Sequence, residues 1–254
     1  MQQIVSQNIK WKIISLVVVL VIWETLGRFT NPLFLSTPLL TFNALIDLFS
    51  TATIYNNLAT TFRTFLVGLA VSVIIGILAG ILVGYFKKVK LSTEHFITAF
   101  YSTPYVAWTG LIILWFGIGE EARTVMVIMA ALWPMIINTM YGVAYIDESL
   151  VEVGRVFGCN KRQLLFKVII PGSVPFIASG FRLAVGRAIV GALVAEMFLQ
   201  LVGVGGMLVR YSDMLKADYV LAIIILVMMM GLALTELGKW VERKAGAWKL
   251  SVPT

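Results

Sequence analysis

Residues Asp147 to Pro171 read DESLVEVGRVFGCNKRQLLFKVIIP, a polar and basic island between two apolar segments that are each long enough to cross a bilayer. A loop that only joins two spans needs no such organisation. Glu152 is followed at fixed offsets by Gly158 and then by Val168, Ile170 and Pro171, with Lys and Arg residues between them. This pattern predicts a helix, a break at Gly158 and a second short helix, because glycine and proline punctuate helices. Two short helices carrying charge on one side of a membrane form a docking surface.

Working outward, 59% of the 254 residues are hydrophobic and 13% are charged, against roughly 25% charged in soluble domains. The chain is expected to be a single transmembrane domain over 1–254, with the 147–171 loop inside it. Spans need about 20 residues each, so the length holds five or six helices and leaves no room for a soluble enzyme domain. The net charge of +7 does not point to nucleic acid, because the basic residues cluster at span ends, where lipid headgroups and topology place them. The single cysteine, Cys159, excludes an intrachain disulfide and a thiolate metal cluster, and reads as a small space-filling residue.

Trp11 to Gly27 is the first apolar run and reads as a retained span, since no small-residue cleavage site follows it. The stretch Asn31–Asn57 opens with Pro32 and Pro38 and carries apolar residues at helical spacing; it is expected at the outer interface. Further spans are expected at Leu58–Phe86, Leu91–Phe116, Ala122–Ile146, Ser173–Leu199 and Tyr219–Trp240. Pro104 should break the third of the six, because proline removes a donor and clashes with the preceding turn. Pro134 lies inside the fourth, GIGEE (Gly117–Glu121) reads as a turn, and Gly203, Gly205 and Gly206 read as an outer loop.

Counting Lys and Arg near span ends tests the topology. Thirteen lie on the side of Lys10, Lys87, Lys161, Arg243 and Lys249; four, Arg28, Arg123, Arg210 and Lys216, lie on the other. By the positive-inside rule both termini and the 147–171 loop are cytoplasmic, and an even number of spans, six, follows.

No ATPase or hydrolase motif is present: Gly238 and Lys239 lack the preceding glycine loop that wraps a phosphate. The lone histidine, His95, has no ligand partners at helical spacing, so no metal or cofactor is expected in this chain. Gly68, Ser72, Gly76, Gly80 and Gly84 repeat every four residues, a stripe on which another helix backbone can approach closely, within the chain or across a subunit interface. The fifth span carries Arg182, Arg187 and Glu196. Charge near the bilayer centre costs roughly 2.5–3.5 kcal/mol, so these residues should face protein or water and are candidates for a translocation pathway. Arg187 lies about 21 Å along a helix that begins near Ser173, close to mid-membrane. It either meets an anionic substrate or pairs with a neighbouring helix. Glu196 is expected near the outer side.

The island's spacing resembles the cytoplasmic signature of ABC importer permeases: E, A, A, three residues and G, followed nine residues later by I, any residue, L and P. Glu152, Val153, Gly154, Gly158, Val168, Ile170 and Pro171 occupy its places, with Val153 and Gly154 in place of the two alanines. The resemblance extends over about Ser36 to Trp248. LFLSTPLLTFNALIDL, PYVAW, LIILWFGIGEEAR, NTMYG, GFRLAVGRAIVGALVAEM and GVGGMLV are similar to the nitrate, sulfonate and taurine branch of binding-protein-dependent permeases. That resemblance implies an all-α, type I importer permease with six transmembrane helices and a cytoplasmic coupling-helix loop, in a bacterial inner membrane. It implies two ABC ATPase subunits that carry ATP and Mg, a second permease copy forming a homodimer, and an extracytoplasmic binding protein. Glu152, Gly158 and Pro171 would then belong to the ATPase-coupling element. The substrate it implies is a small organic or inorganic anion. The rival readings are an ion-coupled secondary transporter, which leaves the Glu152–Pro171 pattern unexplained, and a membrane-embedded enzyme, which lacks a convergent nucleophile, base or metal set.

Overall fold

The glycine stripe settles which helices form the centre. A computed structural model describes residues 2–246, and every regular element among them is helical. Helix α1 is Gln2–Phe29, α2 is Pro38–Ser50 and α3 is Ala52–Tyr85. Helix α4 (Lys87–Ser102) is followed by a 3-10 turn (Tyr105–Trp108), α5 (Thr109–Phe116) and α6 (Glu120–Ala144). The loop region holds α7 (Glu148–Val156) and α8 (Lys161–Leu164); α9 (Ile170–Phe198), α10 (Gly203–Asp213) and α11 (Ala217–Gly246) complete the chain.

Helix α6 packs along both α3 and α9, and α11 closes on α9. The small residues of α3 face α6: a Cβ built on Gly76 would stand 2.6 Å from Met135 Cγ, and one on Gly80 2.9 Å from the Ile136 carbonyl oxygen. The Ser72 hydroxyl donates back to the Gly68 carbonyl at 2.7 Å. The stripe is therefore spent on packing within the chain, where small residues let two backbones approach. Around this seam Phe65, Val127, Met135, Ala188 and Ile223 are buried, and close packing of this kind forfeits contact energy wherever a methyl is lost.

Four helices, α3, α6, 161–198 and 217–245, are long and apolar enough to cross a membrane. The pair Lys87–Ser102 and Tyr105–Phe116, bent by 92°, makes a fifth if it is one broken span. That bend falls at Thr103–Pro104, as the proline requires. The expected count of six would draw its sixth span from α1, whose Leu16, Val19 and Ile22 side chains are exposed. Trp23 of α1 donates its indole N–H to the Ser36 carbonyl at 2.9 Å and fixes the turn into α2.

Two expectations change. Gly203, Gly205 and Gly206 lie in helix α10, not in an open loop. The fifth span does not begin at Ser173 after a separate short helix. A continuous helix runs from Lys161 to Phe198, and it accommodates Pro171 by widening to a π turn over Leu165–Ile169, in which the Ile170 N–H reaches the Leu165 carbonyl. Lys249 and Trp248 lie outside the described residues.

Candidate functional site

The 147–171 loop is built from two interlocked caps. Asp147 opens α7 by accepting from the Ser149 N–H at 2.9 Å; hydrogen bonds from the Ser149 side chain and then its backbone hold the Asp147 carboxyl below the usual aspartate range. The far end of α7 closes with Gly158 N–H to Arg155 O (2.9 Å) and Cys159 N–H to Gly154 O (3.0 Å), the double reach that ends a helix on a left-handed residue. Gly158 supplies that residue, at φ +75°. Space is open around it, since a Cβ there would meet nothing within 4 Å. Its place in the pattern is thus explained by backbone conformation. Asn160 and Gln163 then form a reciprocal capping box, each bond 2.9 Å, that starts the next helix.

Gly154, which stands where the signature has its second alanine, is buried against Leu164 and Val168. That contact folds α7 back onto the start of the long helix. Four apolar side chains remain outside: Leu150, Val153, Val156 and Phe157 are exposed, the last two by 86% and 83%. Glu152 is exposed beside them and lines a cavity of about 300 Å³ with Glu148, Val151 and Arg155. Pro171 lies 13 residues after Gly158 in sequence and directly follows the π turn and Ile170.

The three charged residues of the fifth span have three different surroundings. Arg182 Nε stands 2.7 Å from Glu242 Oε2 on α11, and Ser179 donates to the other oxygen of that carboxylate. Glu196 is fully buried. Its Oε2 accepts from the Thr61 hydroxyl (2.9 Å) and from the Gly205 N–H (2.9 Å), while the Val204 N–H donates to Thr61 Oγ1 at 3.0 Å. Glu196 thereby places a carboxylate at the N-terminus of α10, where unpaired N–H groups and the helix dipole favour negative charge. These bonds let a glycine-rich segment start a helix.

Arg187 is different. It is exposed and makes no ion pair among the described residues. Its guanidinium lies 5.9 Å from the ring centroid of Tyr101. Together they line a cavity of about 410 Å³ at the break between α4 and the 3-10 turn, with Ser102, Tyr105 and Trp133. Neither Arg182 nor Glu196 lines it. The structure therefore joins Arg187 to the Pro104 break and separates it from the other two charges.

Sequence reasoning missed Thr61, Glu242 and Arg123. Arg123 counted as an outer-side cation, yet it is 6% exposed and has no hydrogen-bond partner at Nε or Nη1. Its signal was present in the GIGEEAR segment, where Ala122 and Met126 flank it at helical spacing and are buried. His95 is exposed, and no group of three His, Cys, Asp or Glu that could hold a metal occurs among the described residues.

Residues 72–246 match the family model described as binding-protein-dependent transport system inner membrane component. The taurine transport system permease protein TauC of Escherichia coli is 28% identical over 251 residues, covering 96% of this chain and 91% of that protein. The bicarbonate transport system permease protein CmpB of Synechococcus elongatus is 29% identical over 178 residues, 69% of this chain and 64% of that protein. A chain from the MetNI methionine ABC transporter in inward-facing conformations superposes with a TM-score of 0.63 at 17% identity, over 76% of this chain and 94% of that one. At that identity the likeness is one of fold.

Proposed function

The chain belongs to the family of inner membrane components of binding-protein-dependent transport systems, and from that premise we propose that it forms the translocation pathway of an ATP-driven importer for a small organic or inorganic anion. The observation that carries the anion is Arg187: a permanent positive charge, without a carboxylate partner among the described residues, in the cavity at the broken helix. A guanidinium keeps its charge and offers a planar fork of donors to an oxyanion. The relative named for bicarbonate transport supports the sign of the cargo, and the one named for taurine supports an oxyanion headgroup, since taurine carries a sulfonate.

ATP and Mg are handled by two separate cytoplasmic ATPase subunits, a second copy of this chain completes the pathway, and an extracytoplasmic protein delivers the anion. Both termini are cytoplasmic and α1 supplies the sixth span. Glu152, Gly158 and Pro171 shape the ATPase-coupling element: Gly158 sets the turn, Pro171 sets the π turn, and Glu152 edges an apolar face formed by Leu150, Val153, Val156 and Phe157. Those apolar side chains gain by being covered, at about 25 cal/mol per Å² buried. Arg182 and Glu196, the other two pathway candidates, serve as helix tethers.

ATP-driven uptake by the assembled transporter in proteoliposomes tests the proposal. Arg187→Gln should slow anion uptake while the complex still assembles, and Arg187→Lys should restore part of the rate. Wild-type uptake by an intact Arg187→Gln complex would remove Arg187 from the pathway.

A further inference from the structure

The walls around Arg187 say more about the cargo than its charge does. Tyr101, Tyr105 and Trp133 line the cavity beside the guanidinium, and Ser102, Thr103 and the two phenols supply side-chain hydroxyls. The Thr103 hydroxyl is already donated to the Ala99 carbonyl at 2.9 Å, which leaves Ser102 and the two phenols as hydroxyl donors among the lining residues. Trp133 is held in place: Phe100 stacks on it in parallel, centroids 4.9 Å apart at 2°, and Phe100 also meets Trp108 at 5.6 Å. The cavity thus offers one cation, a few hydroxyls and the faces of three aromatic rings. Its volume, about 410 Å³, lies within the range of small-molecule pockets, roughly 300–1,000 Å³.

A compact inorganic oxyanion can use the Arg187 fork and the hydroxyls but leaves the ring faces uncovered. Aromatic faces carry the negative end of the ring quadrupole and repay none of the water that a compact anion must shed. An anion attached to a flat apolar body gains twice, since its oxygens take the Arg187 fork while its body covers the Tyr105 and Trp133 surfaces. We infer that the permease itself selects cargo in this cavity, and that it favours an organic sulfonate or carboxylate with an aromatic body over a compact inorganic anion. This inference rests on the anion-import reading and narrows it.

Benzenesulfonate, methanesulfonate and nitrate separate the contributions, because the first two share a headgroup and differ only in the body. Each is titrated by calorimetry into the complete transporter, permease with ATPases and without binding protein, in nanodiscs, with empty nanodiscs as the blank for partition into lipid. Benzenesulfonate should bind about tenfold or more tightly than the other two. Trp133→Leu should narrow that preference severalfold by weakening benzenesulfonate much more than methanesulfonate, and Arg187→Gln should abolish binding of all three. Equal affinity for the three anions in the wild-type complex, or benzenesulfonate binding that survives Arg187→Gln, would overturn the inference. ATP-driven uptake measured on the same preparation keeps the two readings apart. Arg187-dependent uptake of an anion without an aryl preference overturns the inference alone, whereas absence of ATP-driven uptake of any anion removes the import reading and the inference with it.

Discussion

Arg182 and Glu242 face each other across the contact between α9 and α11, Nε to Oε2 2.7 Å, and each side chain is about one-third exposed (35% and 29%). Such a pair is intermediate between a surface ion pair and a buried one. Arg182→Gln should therefore lower the stability of the purified complex by about 1–2 kcal/mol and leave uptake per folded transporter unchanged. Thermal unfolding and uptake, measured on one preparation, check it, and reduced uptake at full stability would return Arg182 to the pathway.

Glu196 ties α3, α9 and α10 through Thr61 and the Gly205 N–H. Glu196→Gln keeps an acceptor and should be mild. Glu196→Ala strands the Gly205 N–H and the Thr61 hydroxyl, a loss of roughly 1–3 kcal/mol for each buried group left unpaired. Proteolysis at the 199–202 turn should accelerate in the alanine variant only; equal rates in both would show that the carboxylate does not hold α10.

Gly158 adopts a conformation that costs an L-residue roughly 1–2 kcal/mol, and asparagine pays least. Gly158→Asn should support transport, and Gly158→Val should insert in the membrane but bind the ATPases weakly. Co-purification of ATPase with each variant decides. Full ATPase recovery with Gly158→Val would detach this turn from coupling.

A Cβ at Gly80 would press on the Ile136 carbonyl oxygen at 2.9 Å, whereas one at Gly110 meets nothing within 4 Å. Gly80→Leu should overpack the α3–α6 seam and reduce the yield of monodisperse protein, overpacking costing about 1–3 kcal/mol. Gly110→Ala should be neutral or slightly stabilising. Comparable yields for the two would mean that the seam is looser than drawn.

Orientation is checked by placing single cysteines in a Cys159→Ser background. Lys161→Cys should react only with reagents that enter the cytoplasm, and Glu121→Cys should react from outside. Labelling of the Lys161→Cys protein from outside intact cells would invert or break the assigned topology.

What the sequence made legible was local. Pro104 announced its break, the four-residue spacing of Gly68 to Gly84 announced a seam, and the Glu152–Gly158 interval announced a capped helix. Each depends on residues within a few turns of one another. Helix α10 was hidden because three glycines disfavour a helix on propensity, and the bonds that start it come from Thr61 and Glu196, the former over 140 residues away from Val204. Depth along the fifth span set Arg187 apart from Arg182, but the partner of Arg182 was not legible for the same reason: Glu242 is contributed by another helix. The start assigned to the fifth span at Ser173 erred in the opposite sense, since one widened turn joins the short helix before it to the span.

The unbroken helix from Lys161 to Phe198 is a lever arm. At ~1.5 Å per residue, Lys161 and Arg187 are ~39 Å apart along it, so a tilt of ~5° imposed at the Lys161 end sweeps the Arg187 end through ~3 Å. That displacement is the length of a hydrogen bond, which in the proposed importer would take the guanidinium out of reach of a bound anion. Grip and release of the cargo can then follow from a rotation too small to disturb the capping turns where the push is applied.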